Sequence, residues 1–269
     1  WSSDVCSSDL MVTVDAILLG GGLGTRFAET SQKVQSELPK QFQLMGNTPV
    51  FVHCLQSFLD MKIFRQVVVT SPSPYIKNAE EQILKYVKNP DRVKIRVIAG
   101  GERRQDSSRL ALEALEESQP GPTRVLIHDA CRPYISEELA HQIKSCLYDR
   151  AYGAWVPVIP VVDTLKKVKD QQVIETVDRS LVHRVQTPQI FEYTLIKSLM
   201  DRIKDLKELN FTDDASLCEY YGIPVGVFQG DVKNIKLTYD FELETLQGVL
   251  AEAKRAKTCA PESATTFTV

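Results

Sequence analysis

The chain has 269 residues, 43% of them hydrophobic and 25% charged, with a formal net charge of −3. This composition is that of a globular protein and offers no basic field for nucleic acid or an anionic membrane. No apolar run reaches the roughly 20 residues that span a membrane. The six cysteines are scattered without a Cys-x-x-Cys, which argues against a zinc site and for reduced thiols in the cytoplasm.

Trp1–Leu10 has neither helical nor strand periodicity. It is expected to be a foreign or disordered leader, with Met11 as the natural start and one domain over 11–257. Val12–Leu19 reads as a buried strand, and four glycines follow it in five positions, Gly20, Gly21, Gly22 and Gly24. Glycine there permits positive φ and lets main-chain N–H groups approach an anion. Arg26 and Lys40 add two permanent cations. The P-loop pattern fails for want of Gly-Lys-Ser/Thr, and the dinucleotide fingerprint fails because its third glycine would fall on Thr25. A site for a nucleoside triphosphate attacked at its α-phosphate remains, against the plainer reading of a glycine turn with surface cations.

A helix is predicted over 48–59 with Pro49 in its first turn, a strand over 66–70, a helix over 75–88 and a strand over 93–99. Gly100 to Ser108 forms a second loop at a strand's carboxyl end. It opens a helix over 107–117 that Asp106 or Ser107 can cap, and Arg103 and Arg104 make it either a polar-ligand site or a capped helix with solvated arginines. The strand that starts at Arg124 ends in His128-Asp-Ala-Cys-Arg-Pro133. Asp129 there is either a buried structural carboxylate or a holder of Mg²⁺, which takes few protein oxygens plus substrate phosphates. A helix over 137–150 and a strand over 154–158 complete a mainly parallel α/β sheet with helices on both faces.

Residues 161–179 break the alternation as two strands around a polar turn at 170–172. Such a hairpin is marginal alone and is expected to pack, as an arm over about 161–185, against a second copy of the chain. Helices over 192–206, 213–221 and 239–257, a short strand over 225–228 and a disordered tail from 258 follow. His53 and His141 are read as packing or surface residues and His128 as ordering its loop. His183 has no acid or nucleophile partner nearby in sequence.

In this order, Gly-Gly-Gly-Leu-Gly-Thr-Arg26, Pro39-Lys40-Gln41, Gly101-Glu-Arg-Arg-Gln-Asp-Ser107, His128–Pro133, Asp163-Thr164, Val177-Asp-Arg179, Gln186-Thr-Pro-Gln189, Thr212-Asp-Asp-Ala-Ser216 and Asn234-Ile-Lys236 stand in the chain. Together they resemble the CDP-alcohol-forming cytidylyltransferases, above all the 2-C-methyl-D-erythritol 4-phosphate cytidylyltransferase family. The resemblance implies a Rossmann-like nucleotidyltransferase fold and attack of a polyol phosphate on CTP. It implies Arg26 and Lys40 as catalytic cations and Asp129 as the Mg²⁺ carboxylate. Leu19, Gly20, Gly21, Gly22, Gly24, Gly101, Glu102, Arg104, Ser107 and Ala130 would bind the nucleotide. Thr164, Arg179, Thr187, Thr212 and Lys236 would bind the polyol phosphate, with Thr164 and Arg179 serving a neighbouring subunit across a homodimer. Two departures stand out: a long segment between Arg26 and Lys40, and Lys233 where an acidic residue often precedes Asn-Ile-Lys. Asp231 is a possible second metal contact. The competing readings are a D-ribitol 5-phosphate enzyme and a non-catalytic nucleotide-binding dimer.

Overall fold

The computed structural model describes residues 12–22, 27, 38–116 and 121–259. The leader, Gly24, Arg26 and the end of the tail lie outside them. In chain order the elements are β1 (Val14–Leu19), β2 (Leu44–Met45), β3 (Thr48–Pro49), α1 (Val50–Asp60), β4 (Phe64–Ser71), α2 (Ile76–Tyr86), β5 (Lys94–Ala99), α3 (Arg104–Glu116) and β6 (Arg124–Asp129). Then come α4 (Glu137–Tyr148), β7 (Ala154–Pro160), β8 (Leu165–Lys169), β9 (Gln172–Val177), β10 (His183–Val185), β11 (Gln189–Glu192), α5 (Tyr193–Ile203), α6 (Ala215–Tyr220), β12 (Gly226–Gln229) and α7 (Glu242–Cys259).

Every residue of β1 and β6 is buried, which is why both read as near-continuous apolar runs. β1 lies between β4 and β6 and pairs with both in parallel, and β5 extends the sheet beyond β4. Antiparallel β11 follows β6, and β7 pairs with β11, β10 and β12. The period-2 alternation divides the core cleanly. Ala16 and Leu18 pack with α1, α2 and α4 on one face, and Ile17 and Leu19 pack with α3, α5 and α6 on the other. The chain builds outward from β1 through β4 to β5, then returns to β1's other side as β6. That reversal makes a crevice at the carboxyl ends of β1 and β6, the place where open α/β sheets take ligands.

Several boundaries move from those predicted. Thr48 and Pro49 pair with Met45 and Leu44, so Pro49 precedes α1 rather than sitting inside it. Helix α3 starts at Arg104, three residues early. Asp106 still works as a cap, but from inside the first turn, accepting from the backbone N–H of Arg103 at 3.1 Å. β8 and β9 form the expected hairpin, with Asp170 and Gln171 both at positive φ in a two-residue turn. Its two strands make a sheet of their own, whereas β10 belongs to the main sheet.

One charge sits inside the central strand. Asp15 is 0% exposed and accepts from Arg65 Nε at 3.0 Å, Arg65 Nη2 at 2.9 Å and Gln66 Nε2 at 2.8 Å, a two-pronged pairing that ties β1 to β4. Arg65 is about a third exposed and keeps access to water, so the loss falls mainly on the buried hydrogen bonds to Asp15. Asp15→Ala should therefore lower the unfolding free energy by about 1–3 kcal/mol, read as a fall in the urea midpoint. A change under about 0.5 kcal/mol would show the pair to be dispensable.

Candidate active site

Register aligns the carboxyl ends of the parallel strands: Leu19 lies level with Thr70 and Asp129, and Ser71 with Ala99. The loops leaving β1, β5 and β6 therefore meet at one edge. They enclose a cleft of about 320 Å³, lined by Gly20, Gly21 and Gly22 on one wall and by Gly101, Glu102, Arg104 and Ser107 on another. Lys40, Asp129 and Lys236 close it. The structure thus gathers most of the expected nucleotide and catalytic residues from across the whole sequence.

Positive φ, one of the two properties expected of these glycines, is not what Gly20, Gly21 and Gly22 supply. Among the described glycines only Gly46 and Gly222 have positive φ. Gly20 and Gly21 are required by close approach. A Cβ on Gly21 would lie 3.0 Å from the Gly100 Cα and 3.0 Å from the Ser107 hydroxyl, and one on Gly20 would lie 2.8 Å from the Thr70 carbonyl. The loops after β1 and β5 touch backbone to backbone. Gln41, buried beside Lys40, fixes the first loop by donating from Nε2 to the Gly20 and Gly22 carbonyls. Ser107 Oγ holds the second by accepting from the Gly101 N–H at 3.0 Å.

Asp129 is ringed by cations. Lys236 Nζ is 2.9 Å from Oδ2, Arg132 Nε 3.4 Å from Oδ2 and Arg104 Nε 3.6 Å from Oδ1. Burial alone would raise the Asp129 pKa, but Lys236, Arg104 and Arg132 outweigh it and hold the carboxyl well below the usual range. Arg104 is in turn fixed by Asp214, at 2.7 Å from its Nη1. Gln189 receives the Asp214 and Ala215 N–H groups at 3.1 Å each and shapes that corner. Among the described residues no carboxylate pairs with the Lys40 ammonium. Asp129 and Glu102 are outnumbered in the lining by Lys40, Arg103, Arg104 and Lys236, the charge excess that an anion would need.

Behind Asp129, His128 is fully buried against the Phe58 ring, 4.9 Å between centroids, and burial pulls its pKa down to about 4. Its Nε2 lies 3.1 Å from the Arg132 carbonyl, which can only accept, so Nε2 carries the proton. Nδ1 then accepts from the Thr187 hydroxyl at 2.9 Å, and that oxygen accepts from the Asp129 N–H at 3.1 Å. His128 orders its loop, as the sequence indicated.

Other expected site residues fall elsewhere. Thr187 is 4% exposed, and its hydroxyl is committed to His128 and Asp129 rather than facing the cleft. Ala130 is fully buried, its N–H bonded to the Leu19 carbonyl. Thr212 is exposed and outside the cleft lining; its neighbours Asp213 and Asp214 face inward to Gln189 and Arg104. Thr164 and Arg179 are exposed on the arm, where Arg179 Nη1 donates to the Val162 carbonyl. Asp231 caps its own turn, accepting from the Lys233 N–H at 2.7 Å. The reading missed Arg132 as a partner of Asp129, and Phe27 and Cys131 as cleft lining. Arg103 also lines the cleft, but its guanidinium is spent on Asp106 and on the Leu206, Lys207 and Leu209 carbonyls.

The sequence pattern of the family described as "IspD: 2-C-methyl-D-erythritol 4-phosphate cytidylyltransferase" matches residues 14–252. The chain is 37% identical over 227 residues to the 2-C-methyl-D-erythritol 4-phosphate cytidylyltransferase of Clostridium botulinum, covering 84% of this chain and 93% of that one. It is 33% identical over 243 residues to the bifunctional enzyme IspD/IspF of Bartonella bacilliformis, covering 89% of this chain and 57% of that one. The chain thus spans about half the length of the bifunctional relatives it matches. The crystal structure of 4-diphosphocytidyl-2C-methyl-D-erythritol synthase from Anaerococcus prevotii superimposes with a TM-score of 0.71 at 25% identity, over 89% of this chain and 99% of that one.

The glycine contacts predict a sharp contrast between neighbours. Gly21→Ala should weaken nucleoside triphosphate binding about ten-fold or more, since the methyl would press on the Gly100 backbone and on the Ser107 hydroxyl that holds the second loop, and overpacking costs about 1–3 kcal/mol. Gly22→Ala, whose Cβ meets nothing within 4 Å, should stay within about two-fold. Titration calorimetry with CTP checks both, and equal effects would refute the close-approach account.

Proposed function

The chain belongs to the 2-C-methyl-D-erythritol 4-phosphate cytidylyltransferase family, and on that premise we propose that it joins CTP to 2-C-methyl-D-erythritol 4-phosphate, forming CDP-methylerythritol and pyrophosphate. The observation that carries the reading is the cation-ringed Asp129 facing a glycine wall across the cleft. In the proposed reaction a phosphate oxygen of the polyol attacks the α-phosphorus of CTP, and the bond to the β-phosphate oxygen breaks. The nucleophile is already ionised and needs no general base, which agrees with a His128 kept neutral and enclosed. Catalysis is then positioning and charge stabilisation. Lys40, Arg104 and Lys236 line one cleft, which supports Lys40 for the charge that builds on the α-phosphate, Arg104 for the other phosphates of CTP and Lys236 for the phosphate of the polyol. Arg26, outside the described residues, keeps its proposed role on the motif alone.

Mg²⁺ is part of the proposal. Among the described residues no cluster of three or more His, Cys, Asp or Glu could cage a metal. A lone carboxylate fits an ion that takes one or two protein oxygens and fills its shell with substrate phosphates and water. Asp129 would hold it. When bound, the ion supplies charge neutralisation on the triphosphate oxygens.

We further propose a homodimer through the arm. Val168, Val173 and Ile174 on β8–β9 are 60–63% exposed and Leu181 is 86% exposed, on a hairpin that pairs with no other strand among the described residues. An Arg179 held away from its own cleft supports donation to a partner's site. A cytoplasmic location is proposed too: Cys54, Cys131, Cys146 and Cys218 are buried free thiols, and no helix among the described residues is long and apolar enough to cross a membrane.

Pyrophosphate release with CTP and Mg²⁺ tests the reaction. 2-C-methyl-D-erythritol 4-phosphate should be preferred over D-ribitol 5-phosphate by about ten-fold or more in kcat/KM, the discrimination that one unpaired polar group supplies. A reversed ratio would move the chain to CDP-ribitol synthesis, and no release with either would leave a nucleotide-binding dimer. For the arm, Lys40→Ala and Arg179→Ala proteins, each nearly inactive, should regain part of their activity after subunit exchange. Absence of recovery with exchange verified would return Arg179 to its own subunit's site.

A further inference from the structure

Lys236 sits on an irregular segment, residues 230–238, whose place in the cleft must be fixed by something other than a helix or sheet. The fastening is two buried amide side chains. Gln186, 5% exposed, accepts from the Asp231 N–H through Oε1 at 3.1 Å. Its Nε2 donates to the Asp231 carbonyl at 2.8 Å and reaches the Asn234 carbonyl at 3.3 Å. One side chain thus does for this segment what a neighbouring strand's backbone does in a sheet. Asn234, 0% exposed, answers from the other side, donating from Nδ2 to the Thr187 carbonyl at 2.7 Å. Thr187 itself holds the Asp129 N–H. The dipeptide Gln186-Thr187 therefore sets both ends of the Lys236–Asp129 contact, the ammonium through the segment and the carboxylate through the hydroxyl.

We propose that Gln186 and Asn234 are positioning residues that place the Lys236 ammonium for the phosphate of the second substrate, an inference that rests on the cytidylyl-transfer reading. Neither side chain lines the cleft, so each acts through Lys236. Their loss should disturb the polyol phosphate and leave the nucleotide wall, built from the loops after β1 and β5, in place. Remaining anchors, the Leu237 N–H on the Cys131 carbonyl at 2.9 Å and Arg132 Nη1 on the Asn234 carbonyl at 2.7 Å, keep the segment from leaving altogether.

The test is a double-mutant cycle read by calorimetry. The Kd for 2-C-methyl-D-erythritol 4-phosphate is measured in the presence of Mg²⁺ and a CTP analogue with a methylene between its α- and β-phosphorus. Gln186→Met should raise that Kd about ten-fold or more in the otherwise native chain, and less than about two-fold in a Lys236→Ala background. Within each background, Gln186→Met should change the Kd for the analogue by less than about two-fold. Equal factors in both backgrounds, or an unchanged polyol phosphate Kd, would overturn the inference. Loss of analogue binding would do the same, because it marks a general collapse of the cleft. If Gln186→Met does not fold, judged by its melting curve, Asn234→Ala is read by the same criteria. A native chain that forms no CDP product from either polyol phosphate would overturn the underlying reading, and this inference with it.

Discussion

A carboxylate buried at the tip of a central strand, outnumbered by positive charge, is the constraint from which the site follows. Asp129 could not stay ionised at 7% exposure without Lys236, Arg104 and Arg132 around it. Each of those cations belongs to a different segment and is held by its own partner: Arg104 by Asp214, Arg132 by the Asn234 carbonyl, Lys236 by the segment that Gln186 clasps. Three of the cations at the cleft are thus accounted for by one buried carboxylate, and Lys40 adds to them. In the proposed reaction a triphosphate would meet cations already held in place by their own partners.

Sheet order turns that charge cluster into a cleft. Because β4 and β6 lie on opposite sides of β1, the loops at their carboxyl ends splay apart and leave a gap at that edge. The glycine wall then sets its width. Gly21 against Gly100 brings two loops closer than any side chain would allow, and Gln41 and Ser107 lock each loop from behind.

What the sequence disclosed, and what it hid, divides along chemical lines. β1, β6 and the helices announced themselves because apolar runs and 3.6-residue stripes are local signals. Lys40, Asp129 and Lys236 were visible because they stand beside glycines, a strand end or a short motif. The glycine loop was legible as a motif, but its packing role was not: close approach cannot be told from positive φ without knowing that residue 100 lies opposite residue 21. Thr187 and Thr212 were assigned to substrate through the family resemblance alone. In the fold one is buried behind Asp129 and the other lies outside the cleft. Gln186, Gln189 and Asp214 were quoted only as motif letters, since a buried amide or carboxylate reveals its task through partners far away in the chain: Gln186 to Asp231 and Arg104 to Asp214 span 45 and 110 positions.

The same long spans bear on how the protein comes to be folded. The cleft needs Gly20 near one end of the sheet-building sequence and Lys236 near the other, with β6 and the Gln186-Thr187 step between them. Contacts so distant in sequence are entropically expensive to close and tend to form late. A chain emerging from the ribosome can assemble β1, β4, β5 and β6 with their helices well before residue 236 is made. Until then Asp129 has lost the nearest of its three cations, and the crevice exists without its charge balance. The glycine wall can thus stand before Lys236 arrives, and the cleft reaches its full charge only in the completed chain.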